Sequence, residues 1–294
     1  MKFSHSYEVL IVDELNLNQI SIVMKKTTSL LFIGIAFIAV QCSSVPLSGR
    51  SQLSLVSNDK IFPMSYDQYN QVKKESQIIE GTDQSRMVKR VGTRIQRAVE
   101  QYFQEQGQSN YLADYQWEFN LIKEDETVNA WCMPGGKVAF YTGIMPICKD
   151  ETGVAVVMGH EIAHAIANHG SERMSQQYAA STGLGIASVL LTGGAGPTLS
   201  SEMILQAAGA GTSLGILAFS RKHESEADKL GLYFMAMAGY NPQEAPRFWE
   251  RMSSNSSSGK APPEFMSTHP SHDTRISDLN ANMPKAMEYY NRSK

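Results

Sequence analysis

His160, Glu161 and His164 stand together in the run Gly159-His160-Glu161-Ile162-Ala163-His164. In a helix this spacing sets the two imidazoles one turn apart on the same face. Two neutral imidazoles so placed can hold a metal ion. A carboxylate one step round can take a proton from an attacking water. The chemistry this pattern points to is metal-assisted hydrolysis. The alternative for the same letters is a core helix with two satisfied histidines.

A catalytic zinc site needs a third protein ligand and one open position. The best source is Ser220-Arg221-Lys222-His223-Glu224-Ser225-Glu226-Ala227-Asp228-Lys229-Leu230-Gly231. Read as a helix, its apolar stripe runs through Ala227, Leu230, Gly231, Phe234, Met235 and Ala238. Glu224 and Asp228 extend that stripe at i, i+4 toward the core. Carboxylates there are costly unless a cation pairs with them. Glu224 therefore reads as a metal ligand, and Asp228 as the acceptor that orients a ligand histidine. Glu226 lies on another face and reads as solvated. Surface salt bridges to Arg221 or Lys222 are the alternative. His169, near the end of the first helix, reads as a dipole or packing residue.

The elements that must position these groups follow from periodicity. Asp150 can cap a helix running from about 150 to 168, with Glu151 at its positive end and Gly170 beyond its other end. Val154, Val156, Val157, Met158, Ile162 and Ile166 lie on every side of it, so it is buried nearly all round. Upstream, helices are predicted near 65–79 and 84–105, split at Gly81. The second carries the stripe Val88, Val91, Ile95, Val99 and Tyr102. Alternation then predicts strands over 115–122, 127–132 and 137–142, the last two joined by a turn at Pro134-Gly135-Gly136, as a small antiparallel meander. An edge strand beside a metal site can bind a substrate backbone by strand addition. Residues 173–219, rich in Ala, Gly, Ser and Leu, suggest a helical hairpin that is soluble or brushes a membrane surface. A Ser-, Gly- and Pro-rich loop over 253–263 and a last helix over about 273–290 complete the chain.

The chain has 294 residues, enough for a full core, and a net charge of −3 with no basic tract. No nucleic-acid partner is expected. Three cysteines give no disulfide framework, although Cys132 and Cys148 could pair in an exported protein; the alternative is two buried free thiols. Met24-Lys25-Lys26 precedes hydroxylated residues and an apolar run to Val40, which reads as a signal peptide over 24–41. Cys42 would then be a lipidated first residue, and 42–60 a tether leading to a domain over 61–294. Residues 1–23, with Glu8, Asp13 and Glu14, fit no signal, and translation is expected to start at Met24. This reading addresses the protein to the periplasmic face of a bacterial membrane, attached by a lipid anchor.

His-Glu-Ile-Ala-His and Ser-Arg-x-x-Glu-x-x-Ala-Asp-x-x-Gly together resemble metallopeptidase family forty-eight. Asn129-Ala130-Trp131, Pro134-Gly135-Gly136 and the strand ending Tyr141-Thr142-Gly143 look like that family's edge-strand segment. Thr268-His269-Pro270, with Arg275 beyond, matches another of its elements. The resemblance spans roughly 60–285 and is nearest the small lipoprotein members. It implies a mainly helical α+β, zincin-like fold, one zinc on His160, His164 and Glu224, Glu161 as general base, and Asp228 beneath a ligand. It also implies His269 and Arg275 at the active site, with His269 either a plug on the metal or a group that helps stabilise the tetrahedral intermediate, and with Asn129, Ala130 and Trp131 beside the substrate; His269 or Arg275 is the expected oxyanion partner. From the residues alone His269 reads as a helix cap, with His272 a competitor. The implied function is a zinc endopeptidase acting on misfolded envelope proteins. A zinc-bearing chaperone with little proteolysis is the second reading, and Glu161 argues against it, since holding a metal needs no base.

Overall fold

The computed structural model describes residues 42–177, 219–256, 264–269 and 274–294. Contacts divide the chain into two units, Met1–Ser43 and Ser44–Lys294, and every described element but the start of the first strand lies in the second. The architecture is α+β and mainly helical, as the resemblance implies. The hairpin expected over 173–219 and the loop over 253–263 fall mostly outside the described residues, as do residues 1–41 with the expected signal.

Two three-residue strands, β1 (Cys42–Ser44) and β2 (Ser51–Leu53), come first. The stretch from 42 to 60 had the composition of a tether, and within the second unit it does not behave as one. Val45 and Val56 are buried in the main core, and helix α1 (Asn58–Glu75) already begins at Asn58. Its buried positions Ile61, Phe62, Ser65 and Tyr69 fall on one face. Helix α2 (Asp83–Glu105) starts at a capping box, in which Thr82 and Ser85 satisfy each other's backbone N–H. Val88, Val91, Ile95 and Val99 form its buried stripe as predicted, continued by Phe103 rather than Tyr102.

The sheet departs from a meander. Strands β3 (Ile78–Ile79), β4 (Glu118–Ile122), β5 (Ala130–Met133) and β6 (Lys137–Tyr141) stand in the order β3-β4-β6-β5. β5 and β6 form the antiparallel pair expected from Pro134-Gly135-Gly136, but β4 and β6 are parallel. The tight turn, with φ of 84° at Gly135 and 89° at Gly136, keeps β5 against β6. The connection from β4 is long enough to skip one strand position, so β6 takes the place beside β4 and β5 is left at the edge.

A short helix, α3 (Met145–Cys148), leads to α4 (Glu151–Ile166). Asp150 Oδ1 accepts from the N–H groups of Thr152 and Gly153 at 2.9 and 3.0 Å, which caps α4. Every residue of α4 from Gly153 onward is buried. Gly170 does not end it. Asn168, at φ 54°, takes the left-handed turn, and residues 169–177 are helical again. The further helices among the described residues are α5 (Arg221–Met237), α6 (Glu244–Ser256), α7 (Glu264–Thr268) and α8 (Arg275–Arg292).

Helices α4 and α5 cross at two glycines. A Cβ on Gly159 would lie 2.7 Å from the carbonyl oxygen of Gly231, and one on Gly231 would lie 2.7 Å from the backbone nitrogen of His160. Neither helix could come so close with a side chain there. That approach carries Glu224 and Asp228 up to His160 and His164. Cys132 and Cys148 are both buried free thiols, the second of the two readings the sequence left open. One lies on the edge strand and the other before α4, each among apolar neighbours of the core.

Candidate metal centre

Ligand atoms of His160, His164, Glu224 and His269 all lie within 4.8 Å of one another, and all four residues are buried. His160 and His164 come from α4, Glu224 from the first turn of α5, and His269 from just past α7. Nε2 of His160 and Nε2 of His164 are 3.1 Å apart. Nδ1 of His269 lies 3.3 Å from His160 Nε2 and 3.0 Å from Glu224 Oε1. Glu224 Oε1 is 3.4 Å from His164 Nε2.

The protonation of the two α4 imidazoles tests whether this cluster fits a cation. Asp228 Oδ1 sits 3.0 Å from Nδ1 of His160, which calls for a proton on that nitrogen. In the neutral ring, His160 Nε2 then presents a lone pair; burial opposes a second proton there, but the Asp228, Glu224 and Glu161 carboxylates outweigh it and favour a positive charge at this point, a proton or a metal ion. Burial holds the His164 imidazole in its neutral form, well below the usual histidine range. Two imidazole nitrogens and a carboxylate oxygen thus converge with acceptor character toward one point. Without a cation they would repel one another, and nitrogen with carboxylate donors is the set that divalent transition metals prefer.

Around the cluster the charges are matched. Arg275, 1% exposed, donates from Nε to Asp228 Oδ2 and from Nη2 to Glu224 Oε2, each at 2.6 Å. Its guanidinium also lies over the Trp249 ring, 3.5 Å from the centroid. Burial pushes the Glu224 and Asp228 carboxyls up, but the imidazoles and Arg275 outweigh it, and both are held below the usual range. Arg275 therefore serves the carboxylates of α5. Its Nε and Nη2 are committed to those carboxylates, while its buried Nη1 has no partner among the described residues.

Glu161 is 1% exposed, and its Oε1 lies 3.5 Å from His269 Nε2. Burial raises its carboxyl above the ordinary value, and the backbone of Cys132 on β5 hydrogen-bonds to it in partial opposition. The edge strand is thus set directly beside Glu161. Asn129, Ala130 and Trp131 are all buried. Trp131 turns away to pack edge-on against Tyr69, at 5.8 Å between centroids, and its Nε1 donates to the Tyr141 hydroxyl. Asn129 accepts from the Ala130 N–H, and its Nδ2 has no partner among the described residues. His269 is enclosed as well, stacked on Phe265 at 4.5 Å and on Phe219 at 5.2 Å.

His169, just past the end of α4, is fully buried, which fits its reading as a packing residue, and its Nδ1 lies 2.9 Å from His164 Nδ1. One reading from the sequence changes here: Glu226 is buried rather than solvated. A histidine five residues past His164 and a carboxylate two before Asp228 were the available signals, but nothing in sequence showed what covers that side.

Residues 90–283 match the profile of Peptidase family M48. The chain belongs to that family. It is a metallopeptidase, and its mainly helical α+β fold is the zincin-like one. It is 35% identical over 245 residues to the mitochondrial metalloendopeptidase OMA1 of Schizosaccharomyces pombe, covering 82% of this chain and 66% of the relative. It is 30% identical over 278 residues to that of Saccharomyces cerevisiae, covering 92% and 77%. The β-barrel assembly-enhancing protease of Escherichia coli K12 is 31% identical over 164 residues, covering 55% of this chain and 33% of the relative.

These relatives overturn the expected address. Those matched over most of this chain are mitochondrial proteins, and the bacterial one is matched over little more than half. The lipid anchor at Cys42 and the periplasmic location fall with that reading. Its basis was a basic, hydroxylated, acid-poor start, Lys25-Lys26-Thr27-Thr28-Ser29, and mitochondrial targeting segments share those features.

Proposed function

We propose that this chain is a zinc metalloendopeptidase of mitochondria, with protein substrates. The observation that carries the reading is the convergence of His160, His164, Glu224 and His269 donor atoms beside a buried Glu161. His160, His164 and Glu224 would hold the zinc, with His269 in the fourth position in this conformation. Bound there, zinc supplies Lewis-acid polarisation of a scissile carbonyl and acidifies water.

The protein's own groups do the rest. Glu161, raised by burial, takes the proton of the attacking water and returns it to the leaving amine. Asp228 keeps the neutral His160 ring oriented, and Arg275 keeps Glu224 oriented and ionised. A substrate backbone would lie along β5, whose edge runs beside Glu161 at Cys132. That route needs His269 to leave its place, so the arrangement described is the closed one.

Glu161→Gln in the full chain tests the reading. It is expected to keep its zinc and to lose casein cleavage by about 10²–10⁴-fold, the range for a general base. Full cleavage in that variant would overturn the mechanism. Zinc in the native chain without cleavage in any state, including with His269 removed, would favour a metal-bearing chaperone. Import of a full-length reporter fusion into isolated mitochondria tests the location.

A further inference from the structure

Among the described residues no carboxylate meets Nδ1 of His164 as Asp228 meets that of His160. Nδ1 of His164 faces Nδ1 of His169 at 2.9 Å, and Nε2 of His169 lies 2.8 Å from Oε2 of Glu226. A carboxylate only accepts, so Nε2 of His169 carries the proton and donates it. Nδ1 of His169 is then the acceptor, and Nδ1 of His164 the donor. The lone pair of His164 is thereby fixed on Nε2, the nitrogen that faces the metal cluster.

Glu226 in turn is anchored from a distant part of the chain. Arg50 donates from Nε to Glu226 Oε2 at 2.6 Å, and the Ser48 hydroxyl donates to Oε1. The same guanidinium reaches Glu172 through Nη1 at 3.1 Å and Nη2 at 2.8 Å, and Glu172 also accepts from His223. Arg50 thus spans two carboxylates as a fork, a geometry that its planar group fits and that a single point charge fits less well. The segment bearing it is pinned by the buried side chain of Val45 and by the strand β2. Both Ser48 and Arg50 precede residue 90, where the match to the family begins.

We propose that the segment around Ser48 and Arg50, outside the family-matched stretch, is a working part of the metal centre. Arg50 is a positioning residue: through Glu226 and His169 it sets the orientation and proton placement of the ligand His164. The M48 domain of this chain is incomplete without it. The proposal rests on the metal-site reading above, and concerns how tightly and in what field the metal is held.

The test uses the full chain, loaded with zinc for affinity by chelator competition and with cobalt(II) for its visible spectrum. Arg50→Ala is expected to weaken metal affinity by about 10–100-fold, the usual scale for a partner behind a ligand, and to shift the cobalt bands. Arg50→Lys should recover part of both. In a His169→Ala background, Arg50→Ala should cost little more, because the two act along one line. Should Arg50→Ala fail to fold, Arg50→Gln keeps a long side chain without the charge and carries the same expectation. Unchanged affinity and spectrum in a folded Arg50 variant would overturn the proposal, as would a full additional loss in the His169→Ala background. A native chain that takes up no metal would overturn the metal-site reading itself, a result distinct from either.

Discussion

His269 joins the cluster from neither of the helices that carry the other three ligands. It follows α7, and its ring is held between Phe265 and Phe219. Removing it leaves two imidazoles and Glu224, the number of protein ligands that an open catalytic site keeps. His269→Ala is therefore expected to retain one zinc per chain and to cleave casein faster than the native chain, by a measurable several-fold. A drop in rate at unchanged metal content would mean the ring works on the substrate instead. At this scale the sequence was informative where spacing alone decides. That the helices bring His160, His164 and Glu224 together, with Asp228 against His160, was legible because helix geometry fixes which residues share a face. Glu226 was misplaced for a different reason. It does point to another side of α5 than Asp228, but that side is covered by the segment carrying Ser48 and Arg50. No local periodicity reports a cover supplied from far along the chain.

Among the elements, the crossing of α4 and α5 decides how far apart the ligands stand. A methyl group at residue 231 would press on the α4 backbone at 2.7 to 2.9 Å, and backbone cannot step aside as a flexible side chain can. Gly231→Ala is expected to destabilise the fold by about 1–3 kcal/mol, the usual cost of overpacking. It should also weaken zinc binding, since Glu224 moves away with its helix. Thermal melting and chelator competition read the two effects, and a variant as stable as the native chain with equal affinity would refute the account. Helix existence was well marked by caps and stripes, as at Asp150 and along Val88 to Val99. Strand order was not. Alternation reports which residues alternate faces, but β6 joins β4 in parallel because of the length of a connection and the tightness of a turn. Both are choices among pairings that the same alternation allows.

For the whole molecule, the ion network that ties the early segment to the core makes a prediction about acid. Burial pushes the Glu172 carboxyl up, but hydrogen bonds from His223 and Arg50 outweigh it and hold the group at about 2, against 4.5 when free. A carboxyl depressed in the folded state adds stability above its unfolded value. That contribution is lost as pH falls from about 4.5 to about 2. The melting temperature should fall through that window, and the gap between the native chain and Arg50→Ala should narrow there. A gap that is constant with pH would show that Arg50 acts by packing alone. The address of the protein was the least legible property, because Lys25-Lys26 and the apolar run after it suit more than one membrane system.

Arg275 lies on the last helix, and two buried carboxylates of α5 depend on it. Polypeptides are made from the amino end, so Glu224 and Asp228 exist long before their counterion does. A buried charge stripped of its partner costs about 3–5 kcal/mol. The half-made chain therefore has no stable way to bring those carboxylates into its interior. Until residue 275 has been made, the counterion that the folded centre uses for both carboxylates is missing, so the centre can only be completed from the far end of the chain.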